Sequence, residues 1–269
     1  MRLAFISKCI AAVVSIATFN SVLAQTTLEE VVVTARKRAE NLQEVPISVA
    51  AFTRSEIVAA GIERPADYIS LIPNVTIVDT ANVGDTQVSI RGIVSTRDAE
   101  GTVAYVVDGV LVTNPNAFNE QLVDVEQIEV LKGPQGALYG RNAVAGAILV
   151  STRKPTDEFF SKVKAGVGNN NSSQAEAIIS GPMIEGTLAA SLTGYYNSTD
   201  GFYDNAYTER DDVVDYLENS GARARMVWTP SERMTLDFRA ATSRAEGGAI
   251  NFNAVFAIPL FAEFFNDTY

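Results

Sequence analysis

The chain has 269 residues, a net charge of −11 and 47% apolar residues, a composition that excludes wholesale disorder. The acidic balance, with no dense basic block beyond the short ARKR at 35–38, excludes a nucleic-acid binder, which needs a basic face to displace counterions. Without histidine and with one cysteine, the sequence supports no Ser-His-Asp triad and no histidine-containing zinc site.

Arg2 and Lys8 flank the start of an apolar run from Cys9 to Phe19, followed by small residues at Val22 and Ala24. This reads as a secretory signal peptide over 1–24, cut before Gln25. The run is too short for a membrane-spanning helix, which takes about 20 apolar residues. Cys9 leaves with it, so the exported chain has no disulfide.

Residues 25–42 form a linker around Leu28–Thr34, where three consecutive valines favour extended backbone. It reads either as an ordinary first strand or as an exposed strand awaiting a partner. No second hydrophobic segment lies nearby to pair with it.

A mixed α+β domain follows. Pro46–Phe52 reads as a strand. Thr53 and Glu56 make a capping box for a helix over 54–60, with Gly61 as its stop. Pro65 starts a second short helix that ends before Pro73. Strands are expected at 74–79 and 86–93. Asp108-Gly109 between β-rich halves marks a hairpin over 103–112. A helical turn at 119–126 leads to strands at 128–132 and 146–151. Asp108 suits a hairpin turn without further role. Asp124, Glu126 and Glu129 are read as solvated residues flanking a turn.

After Pro155 strict alternation replaces helical periodicity. Ala222, Ala224, Met226 and Trp228 oppose Arg223, Arg225, Val227 and Thr229. Leu236, Phe238, Ala240 and Thr242 oppose Thr235, Asp237, Arg239, Ala241 and Ser243. Strands of about ten residues, apolar on one face and polar on the other, are the pattern of a transmembrane β-barrel. A soluble sandwich gives similar alternation, but the signal peptide, acidic charge and lack of disulfides favour the barrel. Tyr195, Tyr196 and Trp228 fall near strand ends, where interfacial aromatic girdles sit.

The stretch LKGPQGALYGRNAVAGAILV (131–150) is rich in glycine. It lacks the Gly-Lys pair of a phosphate loop, and the only G-x-G, at 166–168, leads to asparagines. Its glycines are read as devices that let loops fold tightly.

The order EEVVVTA, VPISVAAF, PNVTI, QVSIRG, AYVVDGV and VEQIEVLKGPQGALYGRNAVAGAILVSTRKP resembles the N-terminal part of a TonB-dependent outer-membrane receptor. The likeness is detailed over 28–155 and one of style over 156–269. It implies an α+β plug domain at 43–152, preceded by the TonB box and linker at 25–42. The first strands, about five, of an incomplete antiparallel transmembrane β-barrel follow at 156–269. A complete barrel of this kind has about 22 strands, so the chain is expected to be a fragment or a truncated product.

By the same resemblance, Glu30, Val31, Val32, Val33, Thr34 and Ala35 form the TonB box. Arg91, Lys132 and Arg141 are plug cations facing barrel carboxylates expected in later strands that this chain lacks, and Gly92, Gly133, Gly136, Gly140 and Gly146 are plug packing glycines. The implied role is energised uptake of a large scarce nutrient, foremost a ferric siderophore, with vitamin B12 or a glycan as other cargo. Its partners would be TonB with the inner-membrane energising complex, outer-membrane lipid and an extracellular ligand. The protein would act as a monomer in the Gram-negative outer membrane, as no enzyme, without cofactor, metal or nucleic acid. The competing reading is an exported soluble β-rich carbohydrate-binding protein or glycosidase, for which no carboxylate pair stands out.

Overall fold

The computed structural model describes residues 31–34, 38, 40–78, 86–95, 100–113, 115–203 and 214–248. The expected signal peptide, Glu30, Ala35 and the segment 249–269 lie outside the described residues.

The first half is built on a five-stranded mixed sheet. Its strands are β3 (Ser48–Thr53), β6 (Val103–Val107), β7 (Val110–Val112), β8 (Val125–Lys132) and β9 (Gly146–Thr152), in the order β3-β8-β9-β6-β7. Only β6 and β9 run parallel. Both faces are covered, so β9 reads as a nearly continuous apolar run, as central strands do, whereas β8 carries Glu126, Gln127, Glu129 and Lys132 among its apolar residues. One face carries Tyr105, Ile128, Val130, Ile148 and Val150. They pack against Ile57 of α1 (Arg54–Ala59), Tyr68 and Ile69 of α2 (Pro65–Ser70), and Ile72. The other face carries Ala104, Val106, Leu131, Ala147 and Leu149, and is covered by Val33 and Val45.

The expected helix signals act as read. The Thr53 hydroxyl accepts the Glu56 N–H at 3.4 Å, and the Glu56 carboxylate accepts the Thr53 N–H at 2.7 Å. Pro65 opens α2, and Asp67 accepts the N–H groups of Glu63 and of the N-cap residue Arg64 at 2.9 and 2.8 Å, fixing the chain as it enters the helix. β4 (Val75–Val78) and β5 (Gln87–Ile90) form a separate antiparallel pair. The helical turn expected at 119–126 falls earlier, as a 3₁₀ turn at Pro115–Asn119, because β8 already begins at Val125. A one-turn α3 (Gly136–Tyr139) escaped the sequence reading.

The second half is a meander of five antiparallel strands: β10 (Phe160–Val167), β11 (Ser173–Ile184), β12 (Leu188–Thr199), β13 (Leu217–Ser231) and β14 (Met234–Gly247). Its register places the apolar sets opposite one another. Leu192, Ala224 and Ala240 form one row, Met226 and Phe238 a second, and Leu188, Trp228 and Leu236 a third. These faces point outward, where Val163, Val167, Leu192 and Phe238 are exposed. The inward rows pair Lys164 with Glu176, Thr193 with Arg223, and Arg225 with both Ser191 and Arg239. Glu176, Thr193, Asn219 and Arg225 are buried there. From Ala222 to Trp228 the apolar face spans about 20 Å of strand. It then gives way to Ser220 and Glu218, opposite Arg244 and Glu246. An outward apolar band of that order, ended by polar rows, suits a lipid bilayer.

The two tyrosines expected in one girdle part company. Tyr196 is exposed on the outward face. Tyr195 is half-buried on the inward face, its ring over Gly221, because adjacent residues of a strand point to opposite sides.

Candidate functional site

Two places bring chemistry-bearing residues together: the docking of the N-terminal segment on the first half, and the seam between the halves.

The N-terminal segment includes β1 (Val32–Val33), which pairs antiparallel with β2 (Glu40–Asn41). Leu42 N–H donates to Val31 O at 2.9 Å. The segment is extended, as its valines require, but it does have a nearby partner. That partner is two polar residues, which hydrophobicity does not flag. Val33 is fully buried on the sheet. Thr34 donates from its backbone N–H and its hydroxyl to one oxygen of Glu129, at 2.8 and 2.9 Å, and the Gln127 amide donates to Val32 O at 2.8 Å. Glu129 is therefore not solvated, as the sequence suggested, but 1% exposed within β8. Beside it lies a cavity of about 380 Å³ whose lining includes Thr34, Arg38, Val106, Leu138 and Tyr139. Burial, and then the Glu129 charge, push the Tyr139 hydroxyl up to about 12.

At the seam the second half supplies cations and the first half supplies acceptors. The Arg225 side chain is 3% exposed. It donates to both oxygens of Asp237, at 3.1 and 2.8 Å, and to the Thr152 carbonyl at 3.0 Å. Thr152 donates to Asp108 through its N–H and hydroxyl, at 2.8 and 2.7 Å. Arg239 reaches the Asp108 carbonyl. Asp108 does sit in the hairpin turn, with φ +50°, but it also organises this cluster. Elsewhere Arg223 donates to Val123 O at 3.1 Å, Asn219 to Asn119 O at 3.0 Å, and Ser243 to Glu120 at 2.6 Å. Lys164 pairs with Glu63. Arg153 lies 3.5 Å over the Phe160 ring and pairs with Asp124 at 3.1 Å. Burial of Asp124 outweighs that cation and raises its carboxyl above the usual range. Asp124 is thus a buried ion-pair partner, and of the three acids read as solvated only Glu126 is exposed.

The three expected contact cations lie apart from this cluster, and their expected partners belong to strands beyond β14. Arg91 occupies an exposed turn with φ +54°, and its guanidinium lies beside Gly133. Lys132 donates to Pro73 O at 3.4 Å. Arg141 pairs with Glu100 at 3.2 Å on the surface. Among the described residues none of the three pairs with a carboxylate of β10–β14. No local signal marks Asp108 or Thr152 as their counterparts, since the two meet across 44 positions. Arg225, Asp237 and Arg239 were at least legible as inward-facing.

Of the five expected packing glycines, Gly146 is held by contact. A Cβ there would overlap the Leu131 carbonyl oxygen and lie 2.8 Å from Ile90 Cδ1. Gly133 has φ +117°, which side chains resist. Gly92 and Gly140 lie at turns, and at Gly136 a Cβ would meet nothing within 4 Å.

No helix among the described residues is long and apolar enough to cross a membrane, which says nothing of strands. Among the described residues, no cluster of three acidic, His or Cys groups could hold a metal.

An α+β domain seated by polar contacts against the inward face of an apolar-out wall defines a plugged β-barrel protein of the outer membrane. Residues 41–147 match the TonB-dependent Receptor Plug Domain family. The chain is 30% identical over 196 residues to the pesticin receptor of Yersinia pestis, covering 72% of this chain and 29% of that protein. It is 31% identical over 181 residues to the vitamin B12 transporter BtuB of Vibrio vulnificus, covering 65% and 29%. The crystal structure of the ferric yersiniabactin uptake receptor FyuA from Yersinia pestis superposes with a TM-score of 0.69 at 27% identity, over 74% of this chain and 32% of that one. The pyoverdine receptor FpvA from Pseudomonas aeruginosa, at 21% identity and a TM-score of 0.65, shares the fold. The chain belongs to the TonB-dependent receptors, spanning less than a third of the length of these relatives. The family places it in the Gram-negative outer membrane, with the plug facing the periplasm.

Proposed function

We propose that the chain forms the plug and first wall strands of a receptor for energised uptake of a large scarce nutrient, with a ferric siderophore as cargo. It works as a gate and performs no chemistry on its cargo. The observation that carries this reading is the seam: a folded domain held against the polar inner face of a lipid-compatible wall by ion pairs and hydrogen bonds. Such bonds can be exchanged for water one at a time, so the domain can shift without the wall coming apart. The siderophore assignment draws on relatives named as receptors for ferric yersiniabactin and ferrioxamine B, against one named as a vitamin B12 transporter.

On this reading residues 30–35 are the TonB box, and TonB engages them by adding a strand, where backbone bonds give grip. A peptide of residues 28–36 is expected to bind the TonB C-terminal domain, and Val32→Pro is expected to abolish binding. Calorimetry showing no binding, or binding indifferent to the proline, would overturn the strand-pairing role. The plug limits (43–152) and the barrel limits (156–269) belong to the same proposal. Limited proteolysis of the membrane-inserted chain should cut first outside them.

A further inference from the structure

An extended strand has two hydrogen-bonding edges, and at Val31–Thr34 both are occupied. One edge belongs to β2: Val31 O accepts Leu42 N–H, and Val32 and Val33 stand opposite Asn41 and Glu40. The other edge faces β8, which is already paired on both sides, with β3 and β9, and has no backbone groups to offer. It offers side chains instead. Gln127 and Glu129 are two residues apart on one face of β8, so they rise side by side. Val32 O and Thr34 N–H are the successive groups on that edge of β1, also two residues apart. The Gln127 amide supplies the donor for Val32 O at 2.8 Å, and the Glu129 carboxylate supplies the acceptor for Thr34 N–H at 2.8 Å. The Thr34 hydroxyl adds a bond to the same oxygen at 2.9 Å. Donor and acceptor alternate as they would along a neighbouring strand.

We propose that Gln127 and Glu129 act as a side-chain substitute for a partner strand. They mask the second edge of Val31–Thr34 until an incoming strand displaces them. The bond from Thr34 is charge-assisted, and Glu129 is 1% exposed, so this mask resists water better than a surface contact does. Val33, fully buried among Ala104, Leu131 and Ala147, adds an apolar anchor on the same segment. The segment is thus held by elements of the domain that its release would free. The partner's identity as TonB rests on the function proposed above; the masking does not.

The test uses the full chain in outer-membrane vesicles with Cys9→Ser and Val33→Cys, so that maleimide labelling reports exposure of the segment. Gln127→Ala combined with Glu129→Ala is expected to speed labelling about tenfold or more, and Glu129→Gln, which keeps an acceptor without the charge, to fall between. Gln127→Ala alone leaves the buried carboxylate in place and serves if the double variant misfolds, with a severalfold rise expected. Unchanged labelling in Gln127→Ala and in whichever of the other variants keeps a protease-resistant plug overturns the mask. The same vesicles are then offered the TonB C-terminal domain, with tighter capture by the unmasked variants expected. Faster labelling without capture retains the mask and rejects TonB as the partner. Binding of the free 28–36 peptide with unchanged labelling retains the partner and rejects the mask.

Discussion

The plug and the wall are both made largely of β-strands, yet they sort their side chains in opposite senses. In the plug, apolar residues occupy both faces of the central strands and are enclosed: Ile128, Val130, Leu131 and Ile148 are all fully buried. In the wall, most large apolar residues stand outside, and the enclosed face carries Glu176, Thr193, Asn219 and Arg225, with Ile178 the apolar exception on β11. Strand propensity therefore does not decide which residues go in. The surrounding solvent does: water and protein around the plug, lipid around the wall. The seam is the surface where both rules apply at once, and it is accordingly built of ion pairs and hydrogen bonds.

The sharpest way to break this contrast is to make the same change in both regions. Gly146→Ala drives a methyl group into the Leu131 carbonyl and is expected to cost about 4 kcal/mol or more, with loss of plug protease resistance. Gly194→Ala in the wall meets only the Gly221 oxygen, at 3.9 Å, and is expected to cost less than about 0.5 kcal/mol. Next comes the seam. Arg225→Ala removes one of the two arginines that pair with Asp237 and leaves the Thr152 carbonyl without its donor, and is expected to cost about 2 kcal/mol and loosen the plug, read as faster hydrogen exchange at Thr152. Leu192→Arg on the outward face is expected to cost about 2 kcal/mol in membrane insertion, measured by folding into vesicles.

The smallest effect concerns pH. Burial raises the Asp124 carboxyl in the folded plug, so the folded state holds that proton more tightly than the unfolded chain does. This group's contribution to stability is then fully present below the ordinary aspartate value, and falls as pH rises through the raised one. Denaturation of wild type and Asp124→Asn across that range should show a shallow decline present only in the wild type.

The wall was almost wholly legible in the sequence, because which residues share a face depends only on a period of two. The sets written from Ala222 and from Leu236 are the rows that face outward. Helices α1 and α2 were legible for a similar reason, since a capping box and a helix-initiating proline act within four residues, whereas the one-turn α3 carries neither signal. The sheet order was not. The parallel contact of β6 with β9 joins segments about 40 residues apart and leaves no local trace. Glu129 shows the same limit: beside Gln127 in sequence it looks like a surface acid, and only the return of residues 31–34 over β8 encloses it. The seam acceptors were not legible either, because Thr152 and Asp108 act through a carbonyl and a carboxylate brought together by folding.

The Tyr195 ring lying over Gly221 has a consequence for shape. A Cβ at Gly221 would come within 2.6 Å of two ring carbons and the hydroxyl oxygen of Tyr195, so the aromatic fills the space its cross-strand neighbour leaves empty. A glycine shielded by an aromatic on the next strand is a place where a sheet can bend inward without opening a hole. Here the pair lies on the inward face, near where Asn219 grips the plug backbone. The room for that ring is thus set by an absent side chain, and any residue larger than glycine at 221 would push Tyr195 off the wall toward the plug.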